Sequence, residues 1–260
     1  MAARTVGPLV RDWRTRRRRS QMDLALEVGV SPRHLSFVET GRSRPSPELL
    51  LAVAEHLDVP LRERNTLLLA AGYAPRYPHT SLDDASMARV RATLQRLLEA
   101  HDPYPGVVID RAWNVMVANS AATLLVRDLP PALLGPPLNV FRVCLHPDGL
   151  AARTLNFPEW SAYLRGELHR AVVLTADPSL VSLLDEVEAY PNVVAVEHAD
   201  GDDSLLVPVR LEIDGRELSM FTTLTTFGTP LDVTLSELAV ELFYPADDAT
   251  DIALRALPNG

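Results

Sequence analysis

Arg33 and Phe37 stand four residues apart, a spacing that sets two side chains on one face of a helix. Their chemistries suit the edge of a base pair. An arginine can hold guanine O6 and N7 through two parallel hydrogen bonds, and an apolar ring can pack on a thymine methyl group. At about 100° per residue, Ser36 and Thr40 fall on the same side, while Leu35 and Val38 fall on the other. Arg42-Ser43-Arg44 follows at once and places two cations in a loop, the residue type that neutralises phosphate. The competing reading is an ordinary helical hairpin in an all-α core. An exposed face carrying both Arg33 and Phe37 is odd for a helix that only meets water, so DNA binding is the favoured reading.

Two helices must hold that face. Ser20 is placed to cap the first, whose Leu24, Ala25 and Val28 recur at helical spacing. Gly29 can end it, Ser31 caps the second, and Pro32 occupies the first helical position, where its missing N–H costs nothing. Gly41 stops the second helix. Helix, a short turn containing glycine, and helix is the helix-turn-helix pattern. Leu9, Val10 and Trp13 seed a preceding helix that ends in Arg16-Arg17-Arg18-Arg19, a run suited either to a solvated helix end or to phosphate. Ser46-Pro47-Glu48 starts a fourth helix, residues 61–71 form a fifth, and the two prolines of 73–79 read as a linker.

The charge divides along the same line. The chain has 260 residues and a formal charge of −9, but residues 1–78 hold 13 Arg against 8 acidic side chains, whereas the remainder holds 12 Arg against 26. A basic module joined to an acidic one is expected when only one part meets phosphate. Two domains are therefore expected, 1–78 binding DNA and 79–260 free for other work. Lysine is absent, so all 25 basic residues are Arg. The one cysteine, Cys144, cannot form an internal disulfide, which fits a reducing cytoplasm. No apolar run approaches a membrane span and no secretory signal is visible, so a cytoplasmic location is expected.

In the second region an amphipathic helix is predicted at about 84–100, then strands at 106–110 and 113–119 joined by Asp110-Arg111-Ala112. Helical patterns fill 120–190. The clearest strand signal follows: Val207, Val209, Leu211 and Ile213 alternate, Asp214-Gly215 turns the chain, and Leu218, Met220 and Leu224 alternate again. A two-residue loop pairs Ile213 with Arg216, Leu211 with Leu218 and Val209 with Met220, so the apolar faces coincide. A last strand is expected at about 238–244. The fold class expected for the whole chain is an all-α helix-turn-helix domain of five helices followed by an α+β domain. The latter holds one five-stranded antiparallel sheet with helices on one face.

Gln21-x-x-Leu24-Ala25, Gly29-Val30-Ser31, Leu35 and Glu39-x-Gly41 together resemble the helix-turn-helix of the Xre and phage-repressor family. The resemblance implies that Gln21 holds a phosphate and that Ser31, Pro32, Arg33 and Phe37 face bases. It also implies that Arg14 and Glu39 form a buried pair that fixes the recognition helix. Pro32 lacks a donor and Phe37 offers only apolar contact, which leaves direct readout resting on Arg33, flanked by His34 and Ser36. In the second region the element order resembles a PAS domain. Pro103-Tyr104-Pro105, Trp113-Asn114, Asn119-Ser120-Ala121-Ala122, Leu138-Asn139-Val140-Phe141-Arg142, Leu145-His146-Pro147-Asp148-Gly149 and Phe227-Gly228-Thr229-Pro230-Leu231-Asp232 are similar to the ligand-binding half of MmyB-like transcription regulators. That similarity implies a PAS-like pocket and, for part of the family, a fatty acid or similar lipophile as occupant.

For such a pocket the candidate lining residues are Phe141, Trp160, Tyr163, Met220 and Phe221, with Arg142 as the cation for a carboxylate head group; a structural ion pair is the alternative for Arg142. The seven histidines show no metal spacing, and neither a nucleophile elbow nor a phosphate loop occurs, so no metal, cofactor or enzymatic activity is expected. Glu197–Asp203 reads as a solvated turn, because it lacks the closing Glu of a calcium loop. The expected protein is a transcriptional regulator that binds an operator as a homodimer and senses a small lipophilic ligand. The alternative is a DNA-tethered adaptor whose second domain binds protein and no ligand.

Overall fold

The computed structural model describes residues 5–175, 177–194 and 206–256, and the Glu197–Asp203 turn lies outside them. The chain divides into two compact units. One contains the residues up to Thr80 together with Thr229–Ser236; the other contains Ser81–Gly228 and the residues from Glu237 onward.

The first unit holds α1 (Val6–Arg16), α2 (Gln21–Glu27), α3 (Pro32–Glu39), α4 (Pro47–His56) and α5 (Leu61–Ala70). The serine caps form as expected: Ser20, Ser31 and Ser46 accept hydrogen bonds from the backbone N–H groups of Asp23, His34 and Leu49. Each such cap is worth about 1 kcal/mol. Val10, Trp13, Leu24, Leu35, Leu50, Leu57 and Leu67 form the core, and full burial of one leucine contributes roughly 1.5–3 kcal/mol. Gly29 takes φ of 72° between α2 and α3, a conformation in which a side chain would be strained. Gly7 serves differently. A Cβ there would lie 2.5 Å from the carbonyl oxygen of Val38 and 2.7 Å from that of Glu39, so the start of α1 rests directly on the end of α3. The segment 229–236 completes this unit. Asp232 Oδ2 accepts from the Thr80 hydroxyl at 2.8 Å, and Val233 N donates to Pro78 O at 2.8 Å.

In the second unit a 3₁₀ turn leads into α6 (Ala88–Glu99). Then come β1 (Gly106–Ile109), β2 (Val115–Ala118), α7 (Ser120–Val126), α8 (Pro131–Leu134), α9 (Val140–Leu145), α10 (Phe157–Thr175) and α11 (Pro178–Glu188). β3 (Val209–Ile213) and β4 (Arg216–Thr226) follow, then β5 (Ala239–Pro245) and α13 (Asp248–Arg255); α12 (Val233–Glu237) lies between β4 and β5 in the sequence and belongs, up to Ser236, to the first unit. The strands form one antiparallel sheet in the order β2-β1-β5-β4-β3. The hairpin register is the expected one, with Ile213 opposite Arg216, Leu211 opposite Leu218 and Val209 opposite Met220.

Helices cover both faces of the sheet, not one. Val108 and Val240 face each other on the side where α6 packs, whereas Val107 and Glu241, one residue along, face α7 and α9. The signal lay in Val107-Val108-Ile109, a continuous apolar run of the kind seen when a strand is buried on both sides.

Candidate DNA-reading face and ligand cavity

Glu39 is the hub of the first unit. Its side chain is 1% exposed and accepts two hydrogen bonds from Arg14, Nε to Oε1 at 2.6 Å and Nη2 to Oε2 at 3.0 Å. Arg14 Nη1 donates to Arg19 O at 2.8 Å, and Gln21 Nε2 donates to Glu39 Oε2 at 2.7 Å. The hydrogen bond to Glu39 raises the Arg14 pKa above its usual value. The pair implied by the family resemblance is thus present, and its charges are matched donor to acceptor. Gln21, read as a phosphate contact, gives one of its two amide hydrogens to this carboxylate.

The opposite side of α3 is open. Ser31, Pro32 and Arg33 are exposed, while His34, Ser36 and Phe37 are half-buried. Arg33 and Arg42 both stand over the Phe37 ring, their guanidinium carbons 5.3 and 5.9 Å from its centroid. Such cation–π contacts contribute about 0.5–1 kcal/mol each at exposed sites. The ring therefore orients two guanidinium groups at one end of the recognition helix. Arg44 is used otherwise. Its Nε donates to Ala71 O at 3.0 Å, its Nη2 donates to Gly72 O, and it lies 4.5 Å over Tyr73, so it closes the C-terminus of α5. In the Arg16–Arg19 run, Arg17 donates to Leu57 O and Asp58 O, Arg16 pairs with Asp12, and Arg19 pairs with Glu27. These are helix-end and surface pairs.

The second unit has a partly open cavity of about 160 Å³ between the sheet and the helices α7 and α9. Val107 of β1, Leu125 and Val126 of α7, Val143 and Cys144 of α9, and Glu241 and Phe243 of β5 contribute to its walls. Two buried asparagines hold those walls. Asn119 Oδ1 accepts from Gly106 N and Ala122 N, while its Nδ2 donates to Tyr104 O, tying β1 to the start of α7. Asn139 Oδ1 accepts from Phe141 N and Arg142 N at the start of α9, and its Nδ2 donates to Ala112 O and to Asn114 Oδ1. Burial pushes the Cys144 thiol up to about 12, so it stays protonated and behaves as a small apolar group. Glu241 is the exception in the lining: burial pushes its carboxyl group up to about 7, against a hydrogen bond from Thr222 that acts the other way.

None of the six residues chosen from the sequence as pocket lining contributes to these walls. Phe141 and Met220 are fully buried in the main core, Phe141 against Trp113 with ring centroids 4.8 Å apart. Trp160 stacks on Tyr163 at 5.2 Å, and Phe221 stacks on Tyr244 at 5.5 Å. Arg142 donates to both oxygens of Glu186, at 2.8 and 2.7 Å, which is the structural ion pair and occupies the Nε–Nη2 edge of its guanidinium group. Glu241 escaped notice because its neighbours, Val240 and Leu242, read as an ordinary strand. An acidic residue inside an apolar strand was the available signal.

A groove of about 430 Å³ lies on the other face of the sheet, between α6 and the residues that end β4. Met87, Leu94 and Leu98, in the segment 84–100, pack inward, while Leu97, 40% exposed, borders this groove with Phe227.

Among the described residues, no helix is long and apolar enough to cross a membrane. Two family models match the chain. One, described as helix-turn-helix, covers residues 10–64, and one, described as the MmyB-like transcription regulator ligand binding domain, covers residues 90–257. Both describe regulatory, DNA-binding or ligand-binding modules. No curated protein matches the chain.

Proposed function

The chain belongs to the family of MmyB-like transcription regulators, and from that premise we propose that it reads a specific operator through α3 and adjusts that reading when a small lipophilic molecule occupies the cavity beside β5. The observation that carries the proposal is the pairing of an open, arginine-bearing face on α3 with an apolar cavity built into the ligand-binding unit. Arg33 is the base reader, helped by apolar contact from Phe37. Ser31, Pro32, His34, Ser36 and Ser43 flank the readout, and Arg42 holds phosphate. Arg44 acts indirectly, by fixing the loop that carries Arg42. A ligand changes operator affinity only through different affinities for DNA-competent and DNA-incompetent forms.

The occupant is small. A volume near 160 Å³ is close to that of an apolar cavity of about 150 Å³ that takes benzene. It is well short of the roughly 300–1,000 Å³ of common ligand pockets. A long-chain fatty acid, the occupant implied by the family resemblance, exceeds that volume and would have to extend beyond these walls.

The protein acts as a homodimer in this reading, because one eight-residue recognition helix covers too few base pairs to stand out from genomic background. The apolar border of the α6 groove, Leu97 and Phe227, supports that face as the contact. Selection of duplexes from a random pool by the full-length protein tests the proposal. The expected product is a two-fold symmetric sequence with half-sites about 34 Å, or a multiple, apart. A pool with no enriched sequence overturns it.

A further inference from the structure

We propose that the cavity beside β5, read above as a ligand site, takes a small lipophilic amine whose ammonium group is held by the Glu241 carboxyl group. Glu241 is 8% exposed, and its side chain stands in the cavity wall with Oε2 buried and without a hydrogen-bond partner. The Thr222 hydroxyl serves the same carboxyl group from β4. Cys144 on α9 and Tyr163 on α10 sense the Glu241 charge, and neither carries positive charge. Among the described residues lining the cavity none is basic. Among the described residues, the cavity lining therefore offers this carboxyl group no cation.

Ligand chemistry follows from what would satisfy that oxygen. A pure hydrocarbon fills the apolar walls and leaves Oε2 unmatched, which retains the cost of a buried unpaired acceptor. A carboxylate adds a second anion beside the first, and like charges at a shared site disfavour each other's ionisation. An ammonium brings compact donors and charge, and a charge-assisted hydrogen bond is about twice as strong as a neutral one. The carboxyl group is already desolvated by the fold, and above about pH 7 it is ionised, so binding there requires only the amine to leave water. Glu241 thereby becomes the residue that sets specificity, and Val107, Val126, Val143 and Phe243 supply the apolar remainder.

Calorimetric titration of the full-length protein at pH 8 with benzylamine, toluene and benzoate tests this. Benzylamine is expected to bind at least tenfold more tightly than toluene, and benzoate most weakly. Glu241→Gln and Glu241→Leu should each bring benzylamine to the level of toluene while leaving toluene binding intact. Equal binding of benzylamine and toluene, or tighter binding of benzoate, overturns the amine proposal and leaves the cavity reading standing. Binding by none of the three overturns both. Loss of toluene binding in both variants assigns Glu241 to cavity shape and overturns the specificity role.

Discussion

Among the described residues each unit buries one glutamate, and the two are handled in opposite ways. Glu39 accepts hydrogen bonds from Arg14 and Gln21 on both carboxylate oxygens, whereas Glu241 has one oxygen without a partner and no arginine in the cavity wall. A buried charge that is fully matched fixes geometry, and here the geometry fixed is that of the recognition helix. A buried acid left partly unmatched costs stability, and such costs persist where a site has other work. The helical unit matches its buried acid within the fold, and the sheet unit leaves one oxygen of its buried acid open to the proposed ligand.

The sharpest way to break the comparison is to remove one partner at Glu39. Arg14→Ala or Glu39→Ala is expected to cost about 3–5 kcal/mol, because each leaves the other charge buried and unpaired. Arg14→Met combined with Glu39→Leu should cost much less. Urea unfolding monitored in the first transition checks both, and equal small losses in all three variants would remove Glu39 from its role as hub.

Glu241→Gln should act in the opposite direction. The folded protein holds this carboxyl group protonated up to about pH 7, while in the unfolded chain it ionises near 4.5. Between those values the native state binds more protons than the unfolded state, so stability falls as pH rises. The wild-type protein therefore gives up roughly 3 kcal/mol by pH 8 that it keeps near pH 4.5. The variant should be more stable than wild type at pH 8, with the gap closing as pH falls toward 4.5. Thermal melts across that range test it, and a gap that widens at acid pH would reverse the assignment.

Effects on DNA should be smaller. Arg33→Ala is expected to cost about 1–3 kcal/mol and to relax preference at one operator position, while Arg42→Ala weakens all sequences alike and reduces the salt slope by about 1. A uniform loss for Arg33→Ala in competition gel shifts would make it a phosphate contact. Least of all should follow from Arg142→Gln. Its pair with Glu186 is two-fifths exposed, so the loss should be about 1 kcal/mol or less, with benzylamine and toluene binding unchanged.

The sequence made the helical unit readable almost residue by residue, because serine caps, prolines at first helical positions and a positive-φ glycine are local devices. The β3–β4 hairpin was readable for the same reason: Asp214-Gly215 and strict alternation together set one register. The cavity was not. Its walls come from β1, β2, α7, α9 and β5, and only tertiary folding joins Val107 to Glu241, 134 positions later. Large aromatics are poor markers of such a cavity, since Phe141 and Trp160 gain most by filling the core. The asparagines that marked the resemblance, Asn119 and Asn139, are helix caps that brace the cavity and do not line it.

The segment 229–236 has a consequence for how the molecule can be cut. Because these residues fold with the helical unit, the polypeptide crosses between the units three times: after Thr80, after Gly228 and after Ser236. A fragment ending at Thr80 lacks Val233 and the carboxylate that receives the Thr80 hydroxyl, so it is an incomplete body with an exposed seam. A single nick inside the sheet unit leaves the helical unit assembled from two separate polypeptides, a natural fragment-complementation pair. Grafting the DNA-reading unit onto another scaffold therefore means transplanting two stretches of chain together.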